Sequence, residues 1–97
     1  MARLLKIIGQ EELAGDIYIK NRQYDLAHKS YQMAFVRLTI TNNEKAEKLM
    51  VWGNHFLKGF EYDLALHYYR RAYTCATRKS LKQEAVKTKF WCLEKMR

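Results

Sequence analysis

The chain has 97 residues, a formal net charge of +8, 48% apolar content and 13% aromatic residues, which excludes a disordered chain and leaves room for one modest core. Proline is absent and only four glycines occur, so long helices are interrupted by local turn chemistry alone, and no apolar run approaches the ~18 residues of a membrane span. The charge is uneven: residues 1 to 69 carry nine Lys/Arg against eight Asp/Glu, whereas residues 70 to 97 carry nine against two. The first predicted helix runs from about Ala2 to Lys20, with Leu4, Leu5, Ile8, Ala14, Ile17 and Tyr18 at helical spacing. Its opening is basic and then apolar, but Lys6 interrupts it and Glu11-Glu12 follow without a small-residue cleavage site, so it reads as helix and not as a signal. Asn21 should end it in the left-handed conformation common after helix C-termini. A second helix, from about Gln23 to Thr39, puts Ala27, Tyr31, Ala34 and Leu38 on one face. Thr41 and Glu44 then form a capping box for a third helix from about Asn43 to Lys58, stopped by Gly59. A fourth follows from about Glu61 to Thr77, and a capping box of Ser80 and Gln83 opens a fifth towards the C-terminus.

The stretch from Gly53 to Ala72 repeats that from Gly15 to Ala34. Adding 38 to each number carries Gly15, Lys20, Tyr24, Asp25, Leu26, Ala27, Tyr31 and Ala34 onto Gly53, Lys58, Tyr62, Asp63, Leu64, Ala65, Tyr69 and Ala72, eight identities in twenty ungapped positions. Asp16 faces Asn54, Tyr18 faces Phe56, Ile19 faces Leu57 and Phe35 faces Tyr73. A repeat of this length implies stacked helical units, each unable to bury its apolar side alone.

In these residues the chain resembles the tetratricopeptide repeat family over roughly residues 8 to 78, with Ala14-Gly15, Tyr18, Ala27, Tyr31 and Ala34 filling the family slots of the first copy. Leu49, Trp52-Gly53, Phe56, Ala65, Tyr69 and Ala72 fill those of the second. The resemblance implies an all-α, right-handed helical-hairpin repeat of about five antiparallel helices: one domain over 1–97, with repeats at 8–40 and 43–78 and a capping helix at 80–97. Three departures stand out. Glu11 occupies the first bulky slot, where a buried carboxylate is costly, so that end of the stack is expected to be solvated or differently packed. Thr39 and Thr77 stand where the closing proline would be. The period is 38, with the extra residues after Ala34, so the second helix is expected to be one turn longer.

The chemistry is sparse. His28, His55 and His67 lie in helical segments out of step between the copies, Ser30 and Ser80 lack a glycine elbow, and no Gly-rich phosphate loop occurs. Cys75 and Cys92, without a second pair or a nearby His, read as reduced thiols of a cytoplasmic protein. No enzyme, metal or cofactor is expected. The family resemblance implies a groove lined by the first helix of each repeat, formed here by Glu12, Asp16, Ile19 and Lys20 and by Glu47, Met50, Asn54, Leu57 and Lys58. Members that grip a C-terminal carboxylate use Lys and Asn beside the Leu-Gly pair, and of these places only Asn54 fits. The carboxylates Glu12, Asp16 and Glu47 around Ile19, Met50 and Leu57 favour a basic, apolar peptide or helix instead.

A second candidate surface is the basic C-terminal patch of Arg70, Arg71, Arg78, Lys79, Lys82, Lys87 and Lys89, continued by Lys95 and Arg97 and interleaved with Tyr68, Tyr73 and Trp91. It can hold phosphates and stack bases, meet an acidic protein, or keep a small repeat dispersed. In the last helix Phe90 and Leu93 are expected to pack inward with Val86, leaving Trp91 about a hundred degrees away. Two repeats are fewer than the ~3 usual in a stable array, so Phe90 and Trp91 are candidates for self-association or docking in a larger complex. The favoured function is a protein-binding adaptor or small chaperone. The alternative is an accessory protein to nucleic acid or ribonucleoprotein using the basic helices.

Overall fold

The computed structural model describes residues 2–96, with side chains from Gly9 onwards. Leu4, Leu5 and Ile8 therefore lie outside the described side chains, and Arg97 outside the described residues. Five helices and no strand occur among the described residues: α1 (Ala2–Lys20), α2 (Tyr24–Arg37), α3 (Asn42–Lys58), α4 (Tyr62–Cys75) and α5 (Lys79–Lys95). The chain divides into two compact units, Met1–Thr39 and Ile40–Arg97. The first is the α1–α2 hairpin. The second is the α3–α4 hairpin with α5 packed mainly on α4.

The two hairpin turns are built alike. In the first, the Gln23 N–H donates to the Tyr18 carbonyl at 2.8 Å and Arg22 to Ile19 at 3.1 Å; in the second, Glu61 donates to Phe56 at 2.9 Å and Phe60 to Leu57 at 3.1 Å. This is the Schellman pattern, which closes a helix by one bond spanning six residues around an inner one spanning four. Its left-handed residue is Arg22 (φ 59°) or Phe60 (φ 63°). Sequence placed that conformation one position earlier, at Asn21 and Gly59, but Gly59 has φ −89°. The first residue past the helix still completes the last turn, and only the next can reverse the chain. Neither reversal point is a glycine.

Helix starts follow the sequence less closely. Thr41 Oγ1 accepts from the Glu44 N–H at 3.2 Å as expected, but the Glu44 carboxylate accepts from the Thr41 hydroxyl at 2.9 Å and not from the Thr41 backbone. The Ser80 capping box does not form. The cap lies two residues earlier, at Arg78, with α5 beginning at Lys79 and no side-chain cap bond. Asn43, at the start of α3, does the tethering instead: its Oδ1 accepts from the Thr77 N–H at 2.9 Å and the Arg78 N–H at 3.0 Å. That pair of bonds ties the backbone leading into α5 to the start of α3.

The predicted extra turn of the second helix is also absent. α2 and α4 both have 14 residues. Residues 38–41 after Arg37 form a linker, because Leu38 turns extended (ψ 129°), so the longer period is taken up between the repeats and not in α2.

Small residues set the hairpin spacing. Ala27 and Ala34 in α2, and Ala65 and Ala72 in α4, are buried, and they let the facing helix approach. The second hairpin carries the heavier core. Phe56 and Tyr68 stack at 5.1 Å with planes 9° apart, and Trp52 meets Tyr68 edge-on at 6.2 Å. The matching places in the first hairpin are Tyr18, Ser30 and Ala14.

Glu11 is neither solvated nor simply buried. Its side chain is 15% exposed, and Oε1 pairs with Arg37 Nε at 3.0 Å. The other oxygen, Oε2, is buried without a hydrogen-bond partner. In the second copy the two places hold Leu49, which is fully buried, and Cys75, which is partly buried, so an ion pair in one hairpin stands where the other has two uncharged side chains.

In α5 the inward face is the line of Ala85 and Cys92. Seven residues apart, they bring a small face against α4, and the Cys92 thiol donates to the Tyr62 carbonyl at 3.3 Å. Phe90 lies about 140° round the helix from Ala85 and is 61% exposed, which corrects the expectation that it packs inward. Val86 and Leu93 are half-buried.

Candidate functional sites

The predicted groove residues divide between the two units. On α1, Glu12, Asp16 and Ile19 are half-buried and Lys20 is exposed. On α3, Glu47, Asn54 and Lys58 are exposed, Leu57 is half-buried, and Met50, at 5% exposure, belongs to the core. Met50 therefore offers no surface to a ligand: α3 turns it inward beside Leu49, so the face it was assigned to is narrower than sequence implied.

Asp16 and Asn54 are both engaged by the fold. The Tyr31 hydroxyl donates to Asp16 Oδ1 at 2.5 Å, and the Tyr69 hydroxyl donates to Asn54 Oδ1 at 2.6 Å. Each tyrosine ring rests on the glycine just before its acceptor, so that a Cβ on Gly15 would lie 2.5 Å from Tyr31 Cε1 and one on Gly53 would lie 2.8 Å from Tyr69 Cε1. Both tyrosines are fully buried. Each copy thus has a Gly-Asx pair on the first helix that seats a tyrosine of the second. Burial first, and then the nearby Cys92, push the Tyr69 phenol well above its ordinary value. Cys92 is pushed up too, by burial first and then by the Asp63 carboxylate. Sequence missed these pairs because it assigned Asp16 and Asn54 to a ligand and not to a tyrosine of the facing helix. The signal was present in the common 15-residue separation of Asx and Tyr.

The basic residues do not form one stripe. Lys79, Lys82 and Lys87 line an open groove of about 410 Å³ between α4 and α5, with Tyr73, Gln83 and Val86 as its other walls. Lys82 Nζ donates to the Tyr73 carbonyl at 3.0 Å and lies 4.4 Å from the centre of the Tyr73 ring. Arg70, Arg71, Arg78 and Lys89 lie outside its walls. Further along α5, Lys95 Nζ sits 5.2 Å over the Trp91 ring, and Trp91 is 46% exposed. A second depression, of about 340 Å³, is lined by Phe60, Glu61, Tyr62, Asp63, Lys95 and Met96. Phe60 meets Tyr62 edge-on at 6.3 Å and is still 76% exposed.

Among the described residues no cluster of three His, Cys, Asp or Glu side chains is placed to hold a metal ion. No helix among the described residues is long and apolar enough to cross a membrane. Compared with known proteins, the chain matches no family model, no curated protein and no solved structure.

Proposed function

We propose that this chain is a non-catalytic protein-binding module of the tetratricopeptide type, an adaptor or small chaperone that works in the cytoplasm. The observation that carries the reading is Phe60. It occupies a left-handed position where a bulky residue costs roughly 1–2 kcal/mol, and its side chain is 76% exposed. The hairpin turn itself sets this conformation, as it does at Arg22; what the turn does not require is an aromatic there, and its edge-on contact with Tyr62 leaves most of the ring exposed, as in a contact site. Phe90 and Trp91 add exposed aromatic surface on α5 of the same unit.

The nucleic-acid alternative is supported by the charge of residues 70 to 97. Against it, one face of Tyr73 and one face of Trp91 each carry a lysine ammonium, which removes stacking area a base would need.

Phe60→Gly separates a contact role from a structural one. Glycine relieves the left-handed strain, so the thermal midpoint should hold or rise, while protein crosslinked to the chain in its own cell extract should fall several-fold. Crosslinking unchanged by Phe60→Gly would remove the basis of the proposal. A labelled single-stranded RNA should bind weakly at about 50 mM salt and not at about 200 mM; tight binding at the higher salt would favour the alternative.

A further inference from the structure

We infer that the groove between α4 and α5 receives an acidic segment of a partner protein, with one bulky apolar side chain seated on Tyr73 and Val86 and carboxylates on either side of it. The inference rests on the protein-binding reading but uses a different surface from Phe60.

The groove walls contain three lysines and no carboxylate. On α5 the wall residues Lys79, Lys82, Gln83, Val86 and Lys87 fall at successive steps of three, one, three and one, which is a single helix face. That face is about 12 Å long at 1.5 Å per residue, the reach of about four residues of extended chain. Lys79 stands at one end and Lys87 at the other, with Val86 and Tyr73 supplying the apolar contact. A volume of about 410 Å³ is within the range of sites that take a bulky group.

Lys82 is placed in advance. One of its three ammonium donors is given to the Tyr73 carbonyl, and the charge lies over the Tyr73 ring. A carboxylate approaching along the groove meets an ammonium that is already oriented, so little side-chain freedom remains to be lost on binding. A nucleobase would need the Tyr73 face that Lys82 covers, whereas an apolar side chain needs only Val86 and the part of the tyrosine that stays exposed. Lysine also meets phosphate as a point charge, without the bidentate geometry of arginine, and the arginines of this region lie outside the groove. A neutral apolar peptide would leave three cations facing it without counter-charge. Charge and floor together select an acidic segment with an apolar anchor.

The test is fluorescence anisotropy with three labelled nine-residue peptides: aspartate and glutamate flanking a central tryptophan, the same peptide with glycine at the centre, and a lysine-flanked tryptophan peptide. The acidic tryptophan peptide should bind best, and Lys87→Glu and Lys82→Glu should each weaken it about tenfold, the effect of one charged contact. Lys87→Glu is the safer variant, because Lys82 also bonds to the backbone. Equal binding of the glycine-centred peptide would overturn the apolar seat. Binding unaffected by Lys87→Glu but lost in Arg70→Glu would move the site off the groove. Failure of all three peptides, with RNA bound at 200 mM salt, would overturn the inference in favour of nucleic acid. If all three fail while Phe60→Gly still abolishes protein crosslinking, the groove assignment is wrong and the protein-binding reading stands.

Discussion

Tyr31 and Tyr69 rest their rings on Gly15 and Gly53, with no room between for a methyl group. The hydroxyl of each ring is fixed by Asp16 or Asn54, so the ring cannot swing aside. Gly53→Ala or Gly15→Ala should therefore destabilise by about 1–3 kcal/mol from overpacking, less up to about 1 kcal/mol returned by the better helix propensity of alanine. Urea denaturation measures this, and a raised midpoint would mean that the helices can separate freely. Asp16→Lys would likewise break a bond of the core, so it reports stability before binding. Tyr69 and Cys92 give a pH dependence with a definite sign. Both groups have folded-state pKa values above their ordinary 10.0 and 9.0, so the unfolded chain loses those protons first as pH rises. Stability from this source is complete below about pH 9 and declines above it as the two groups are forced to ionise. A thermal midpoint flat from pH 7 to 8.5 and falling steadily to pH 11, with a smaller fall in Cys92→Ala, is expected.

At the scale of elements, the two hairpins solve one packing problem in two ways. The Glu11–Arg37 pair in the first stands at the positions that Leu49 and Cys75 hold in the second. An enclosed ion pair is often no more stable than an apolar contact of similar volume, whereas removing one partner leaves an uncompensated charge. Arg37→Ala should cost about 2 kcal/mol, moderated by the partial exposure of Arg37, while Glu11→Leu combined with Arg37→Leu should be near neutral. A urea-denaturation double-mutant cycle on these variants tests the coupling; two single losses that simply add would show that the pair does not act as a unit. The spacing of Gly, Ala and Tyr made the hairpins and their helix limits legible to within one or two residues. The Glu11–Arg37 pair was not legible, because the 25 residues between its members carry no local signal and only the antiparallel return of α2 joins them.

At the scale of the molecule, exposed aromatic surface collects on the second unit, at Phe60, Tyr73, Phe90 and Trp91. Apolar surface of this kind either meets a partner or promotes association. Trp91→Ala with Phe90→Ser should lower any concentration-dependent mass seen in sedimentation and change the unfolding free energy of the diluted protein by no more than about 0.5 kcal/mol, as for surface substitutions in general. An unchanged mass distribution would assign the two aromatics to a different partner or to none.

The sequence by itself determined the five helices, the repeat of 38 and the tyrosine, alanine and glycine positions of each hairpin. These follow from periodicity, turn chemistry and residue size, all of which act over a few residues. Only the tertiary structure decided that Met50 faces the core, that Phe90 faces outward, that Asn43 and not Ser80 secures the start of α5, and that three of the basic residues share a groove with Tyr73. Each depends on the rotation of one helix against another, a few tens of degrees that pattern leaves free and close packing fixes.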